Sequence, residues 1–244
     1  MNVLLAALSF RNGNLIYNKN QIVSTIKEYN NKVDLILFGE SFLQGFDALT
    51  WNFEIDKNIA LSKDSKLIKE IKKLCNKFNV SVSFGYFELF DSKIFSSQIV
   101  INKQGKIIFN YRRVSSGWRI KETDNHYQEG TSFSTFELDN KTFTVGLCGD
   151  LWNEDNVNVV SNLSADYLLW PVYTDFNYNE WNNVEKNEYA KQAKKFNKLT
   201  LYVNSYCLDS DDDEIAKGGA AVFKDGMIIN EIPSGKEDVL IVKI

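Results

Sequence analysis

Three apolar runs in this 244-residue chain end on groups that do chemistry. DLILFGE closes on Glu40, KIIFNYRR on Arg112 and Arg113, and TFTVGLCGD on Cys148 and Asp150. In open α/β sheets, sites collect beyond the carboxyl ends of strands. A thiol there becomes a nucleophile once its proton is removed. A glutamate emerging from a buried strand costs free energy unless it is paired or functional, and partial desolvation suits it to act as a base. The same glutamate has a bland alternative, which is to cap backbone amides of the following SFLQGF turn. Gly149, directly after Cys148, permits a sharp turn and leaves a backbone N–H for an oxyanion. Free cysteines are most often inert core residues. Cys75 on an apolar helix face and Cys207 fit that description, and the strand-end position sets Cys148 apart.

Strands must carry these groups. Runs rich in Val, Ile, Phe and Tyr at 3–10, 34–40, 80–89, 96–102, 106–113 and 142–150 read as strands, followed by 165–172, 200–206, 218–224, 227–233 and 238–244. Helical spacing joins Ile22, Val23, Ile26 and Tyr29. It also joins Leu67, Ile71, Leu74, Cys75 and Phe78, and then Trp181, Val184, Ala190, Ala193 and Phe196. Asn102 to Gly105 and Lys224-Asp225-Gly226 read as hairpin turns. No linker, repeat or low-complexity segment interrupts the pattern. The reading is one α/β (α+β) domain over residues 1–244, with mixed sheets covered by helices.

Composition bounds the function. Hydrophobic residues make up 44% and charged residues 25%, so a sizeable core is expected. A net charge of −4, with lysines interleaved among acids, gives no nucleic-acid footprint. No apolar run is long enough to span a bilayer. The start, MNVLLAALSFRNG, reads as a strand rather than a signal peptide. Three widely spaced cysteines argue against a disulfide framework or a zinc cluster and for a reducing cytoplasm. A single histidine, His126, restricts any Cys-His or Ser-His site. The acidic run DSDDDE (209–214) reads as a solvated loop, because it lacks calcium-ligand spacing.

Taken in order, DLILFGESFLQGF, NYRRVSSGW and VGLCGDLWNED resemble the three catalytic blocks of the nitrilase superfamily of carbon–nitrogen hydrolases. ADYLLWPV, LYVNS, GGAAVFKDG and DVLIVKI match its later strands in type and order. The resemblance covers almost the whole chain. It implies a four-layer αββα sandwich of two mixed β-sheets and a Glu-Lys-Cys triad. It also implies Cys148 as the nucleophile on a small amide, Glu40 as general base, and Gly149 N–H with a basic residue around the oxyanion. Glu122 is the candidate second glutamate, which would orient the base residue or the substrate. No cofactor and no metal are implied. The partner would be a small-molecule amide, and the family's habit suggests a homodimer.

The sequence departs from the family where lysine is expected. Tyr111-Arg112-Arg113 puts Arg113 there. Guanidinium is planar, bulky and permanently charged, whereas lysine is a compact, tunable ammonium. An arginine-adapted site ranks first, a weakened or lost activity second, and rescue by Lys121 third. Gly149 and Ser115 replace larger residues, which implies a reshaped pocket lined in part by Trp118, Trp152 and Tyr173, although tryptophans commonly sit in cores. Two functions follow: an amidase-type hydrolase, or a non-catalytic relative that binds a small molecule or a protein. A catalytic Cys148 beside a cation is expected to be a thiolate near neutral pH and to alkylate faster than Cys75 or Cys207.

Overall fold

The computed structural model describes residues 1–209 and 215–244. Most of the acidic run at 209–214 lies outside the described residues. Two six-stranded mixed sheets pack face to face, with helices on both outer sides. This is the αββα arrangement.

The first sheet has the order β14-β1-β3-β4-β5-β6. Its strands are β1 (Asn2–Ala7), β3 (Leu35–Phe38), β4 (Ser81–Phe90), β5 (Lys93–Ile101), β6 (Ile107–Arg112) and β14 (Asp238–Lys243). The second has the order β13-β12-β10-β9-β8-β7. Its strands are β7 (Thr135–Leu138), β8 (Lys141–Val145), β9 (Tyr167–Val172), β10 (Leu199–Asn204), β12 (Ala220–Lys224) and β13 (Met227–Ile232). A small parallel pair joins β2 (Ser9–Phe10) to β11 (Tyr206–Cys207).

Period-two burial explains the layering. On β1, Val3, Leu5 and Ala7 face the second sheet in one core, with Leu169, Leu201 and Val203. Leu4 and Ala6 face outward into another core. That outer core takes Ile22 and Ile26 of α1 (Leu15–Tyr29) and Ile68, Ile71 and Cys75 of α3 (Lys66–Phe78), with the short α2 (Phe53–Asp56) between them in sequence. The second sheet is covered by α4 (Glu154–Asn162) and α6 (Lys186–Lys194). A one-turn α5 (Tyr178–Glu180) and a π-helical turn at Trp181–Glu185 lead into α6.

Both hairpin turns read from sequence are present. Gly105 (φ 70°) closes β5–β6, and Asp225 and Gly226 (φ 52° and 82°) close β12–β13. β7 and α4 are among the elements that escaped the sequence reading. β7 was hidden because it is only four residues long and half exposed; Asp139 and Asn140, both at positive φ, turn it into β8. α4 buries only Val157 and Val160, so its apolar stripe is faint; Asn153 caps it by accepting from the N–H groups of Asp155 and Asn156.

One expectation needs correction. The strand read over 142–150 stops at Val145, and Cys148–Trp152 form a 3-10 turn. Gly146 lies so close to Leu151 that a Cβ there would stand 2.4 Å from the leucine side chain, and Asp150 accepts a hydrogen bond from Leu147 N–H at 3.0 Å. The chain folds back on itself, and Cys148 opens the turn.

Candidate active site

Glu40, Arg113 and Cys148 come from three separate segments and meet at one place. Glu40 follows β3 by two residues and is 1% exposed. Its backbone N–H donates to Val172 O of the second sheet at 3.3 Å. Gly39 is required at that crossing, since a Cβ there would sit 2.4 Å from Ser205 Oγ and 3.0 Å from Val172 O. Ser41 turns away at φ 49°, and Gly85 provides the space, because a Cβ on it would strike Ser41 N at 2.2 Å. Glu40 therefore does not cap the SFLQGF turn. Its Oε1 accepts from Arg113 Nη1 at 2.8 Å and from Ser96 Oγ at 3.1 Å. Its Oε2 is buried and has no hydrogen-bond partner among the described residues.

Neighbouring arginines at the end of β6 go to different partners. Arg112 forms a two-pronged pair with the buried Glu88, at 2.7 and 3.0 Å. Arg113, 3% exposed, turns to Glu40. Its Nε donates to Ser115 Oγ at 2.9 Å. Its Nη2 lies against two glycines: a Cβ on Gly149 would be 2.9 Å from it, and one on Gly117 would be 3.1 Å from it. The bulkier cation fits where the surrounding chain has no side chains.

Cys148 has φ 42°, a left-handed conformation uncommon for a residue with a side chain. The turn that imposes it is fixed by Asp150. This buried carboxylate accepts from Tyr111 Oη at 2.6 Å, Ser115 N at 2.7 Å, Leu147 N at 3.0 Å and Val114 N at 3.2 Å. One side chain thus ties the segment after Arg113 to the segment before Cys148. Trp170 Nε1 holds Cys148 O at 3.0 Å, and the thiol points to Tyr173 O at 3.4 Å. The sequence reading gave Asp150 no role; its place two residues after the cysteine was the available signal.

Electrostatics revise one expectation. Burial pushes the Cys148 thiol up to about 12; Arg113 pulls it down, and Glu40 and Asp150 push it further up. Desolvation outweighs the pull of the cation, whose charge Glu40 opposes, so the thiol is raised rather than lowered from its ordinary value. Burial likewise raises the Glu40 carboxyl above its ordinary value against the lowering effect of Arg113 and Ser96. A more basic carboxylate is the better acceptor for the thiol proton.

The cysteine opens onto a cleft of about 420 Å³ lined by Arg113, Gly117, Cys148, Phe46, Tyr173 and the acids Asp47 and Asp175, with Ile215 beside them. Tyr173 lies in this lining as expected, and Gly149 backs it through Arg113. Trp118 does not; it is buried with Leu49, Phe87 and Tyr127 in a separate apolar cluster. Trp152 is 43% exposed and packs near Trp170 and Tyr189. Glu122 and Lys121 are both exposed in a turn, and neither has a hydrogen bond or ion pair to the cluster. The segment from 119 to 129 is instead tied by Arg119 to Glu129 at 2.5 Å. Among the described residues no group of three or more His, Cys, Asp or Glu side chains could hold a metal ion.

A carboxylate, a fixed cation and a thiol carried on a tight turn meet at one cleft of an αββα sandwich. Residues 8–244 match the carbon–nitrogen hydrolase family, and the chain belongs to it. It is 20% identical over 239 residues to an (R)-stereoselective amidase of Pseudomonas sp., covering 98% of this chain and 82% of that protein. It is 31% identical over 211 residues to the protein N-terminal amidase of Saccharomyces cerevisiae, covering 76% of this chain and 42% of that protein. The chain thus spans less than half of that relative. An amidase from Nesterenkonia sp., solved with acrylamide added to its active-site cysteine, superposes with a TM-score of 0.78 at 12% identity, covering 100% of this chain and 93% of that one.

Proposed function

We propose that this chain, as one domain over residues 1–244, hydrolyses the carbon–nitrogen bond of a small carboxamide through an acyl intermediate on Cys148. The observation that carries the reading is the Glu40–Arg113 pair at 2.8 Å beside a thiol on a forced turn at the same cleft. Glu40 takes the thiol proton as Sγ attacks the carbonyl carbon, and Arg113 with the Gly149 N–H steadies the oxyanion. Glu40 then returns the proton to the departing amine. It next deprotonates water, which attacks the thioester and releases the carboxylic acid with Cys148 restored as a thiol. Arg113 acts only as fixed charge in this scheme, since it cannot give up a proton.

Ammonia release from a panel of small ω-amides and carbamoyl compounds, with Cys148→Ala protein as the blank, tests the reading. Release above the blank, with an acyl mass on Cys148, supports it; equal release from both proteins overturns it. A second reading, a binding protein on a hydrolase scaffold, draws on the upward shift of the Cys148 thiol and on Arg113 in place of lysine. It predicts saturable amide binding without turnover. The three free cysteines support a cytoplasmic location, and no helix among the described residues is long and apolar enough to cross a membrane. We also propose a homodimer, which sedimentation of the purified chain would test.

A further inference from the structure

The charge lining the cleft says what kind of amide it suits. Resting on the hydrolase reading above, we propose that the substrate is a cationic amide, with an alkylammonium group near its carboxamide, and that Asp47 and Asp175 receive that ammonium.

Among the described residues Arg113 is the only cation in the lining, and Glu40 pairs with it at 2.8 Å. The charge that the described residues leave facing a ligand is therefore that of Asp47 and Asp175. Neither carboxylate has an ion pair among the described residues. The Asp47 carboxylate is held in place, and Asp175 sits beside an anchored residue. Asp47 accepts from Tyr173 Oη at 2.6 Å, and its backbone N–H donates to Asn12 Oδ1 at 3.1 Å. Asp175 follows Thr174, which is bonded twice to the buried Asn204, at 2.9 and 3.4 Å. Two carboxylates at one cleft concentrate a cation there. In the same lining the rings of Phe46 and Tyr173 stack at 4.3 Å and 7°, an apolar wall for the methylenes of a short amine.

A second observation points to the other end of the ligand. Glu40 Oε2 is a buried acceptor with no partner among the described residues, close enough to Cys148 to raise its pKa. A carboxamide NH2 arriving at the thiol supplies the missing donor. The ligand would thus present N–H donors at both ends, one neutral and one charged. A cleft of about 420 Å³ suits such a molecule.

Three amides of similar size separate the possibilities: β-alaninamide (cationic), butyramide (neutral) and succinamate (anionic). We expect kcat/KM to be about tenfold higher for the cation than for the neutral amide, and lower still for the anion. Raising the ionic strength should shrink the difference. Asp47→Asn and Asp175→Asn should each lower the cation-to-neutral ratio, through KM rather than kcat. Binding of the same three compounds to Cys148→Ala protein, read by calorimetric or NMR titration, reports charge preference without turnover. A preference for β-alaninamide in binding with no turnover by the wild type would sink the hydrolase reading and keep this one. Equal handling of cation and neutral amide, or a preference for succinamate, overturns the charge assignment even if hydrolysis is found.

Discussion

A Cβ on residue 149 would stand 2.9 Å from Nη2 of Arg113, so the glycine after the nucleophile and the arginine in the lysine position occupy one shared volume. The guanidinium cannot swing away cheaply, because Glu40 and Ser115 hold its other nitrogens. Gly149→Ala should therefore displace Arg113 and lower kcat. In Arg113→Lys protein the smaller ammonium removes the clash, so the alanine should cost less there. The expected coupling is about 1–3 kcal/mol. Kinetics of the two single variants and the double variant measure it, and strict additivity would show that the two positions are independent.

Alkylation of Cys148 by iodoacetamide should be slow at neutral pH and still rising at pH 10, since burial pushes the thiol up to about 12. Glu40→Gln should lower amide turnover by about 10²–10⁴-fold, as loss of a general base does. A rate plateau already reached by pH 8 would mean a resting thiolate.

Asp150→Ala should affect folding and catalysis together. It removes the acceptor of four hydrogen bonds from buried or partly buried donors. A loss of about 3–5 kcal/mol is expected on denaturant unfolding. If the variant does not fold, the milder Tyr111→Phe should fold, lose about 1 kcal/mol and lower kcat. Unchanged kcat in Tyr111→Phe would remove the positioning role.

Acid and alkali should act at different places. Burial pushes the Glu88 carboxyl up, but hydrogen bonds from Arg112, Asn110 and Ser97 outweigh it, leaving its pKa lowered from 4.5. Its stabilisation is then present above 4.5 and lost as pH falls through the folded value. The Cys75 thiol is raised from 9.0 to about 12 by burial. The unfolded chain releases that proton first, so stability falls between pH 9 and 12 by up to about 1.4 kcal/mol per unit. Urea melts should show Glu88→Gln flattening the acid limb and Cys75→Ala the alkaline limb.

Much of this was legible in the residues. β-branched runs marked the strands, and the strand-end Glu40, Arg113 and Cys148 do converge. What failed was long-range. Glu122 has the right residue type, yet it faces solvent, and only the path of the chain between 113 and 130 could reveal that. Trp118 was a fair candidate for a pocket but finds an apolar cluster formed by residues far apart in the chain, from Leu49 to Tyr127. Asp47, by contrast, lies in an unremarked loop and reaches the cleft because Gly45, at φ 86°, packs its turn against Asn12. The upward shift of the thiol was not readable for a related reason: a cation nearby was legible, but not the depth at which it sits nor the carboxylate paired with it.

Glu40 and Arg113 follow strands of one sheet, while Cys148 follows a strand of the other. The apolar filling between the sheets is therefore also the gauge that sets how far base and nucleophile stand apart. A methyl group taken from Leu37 or Val145, both in that filling, would alter the proton's travelling distance as well as the fold's cohesion. Turnover should register such a change as a displacement of tenths of an ångström, at temperatures where the folded population is still complete.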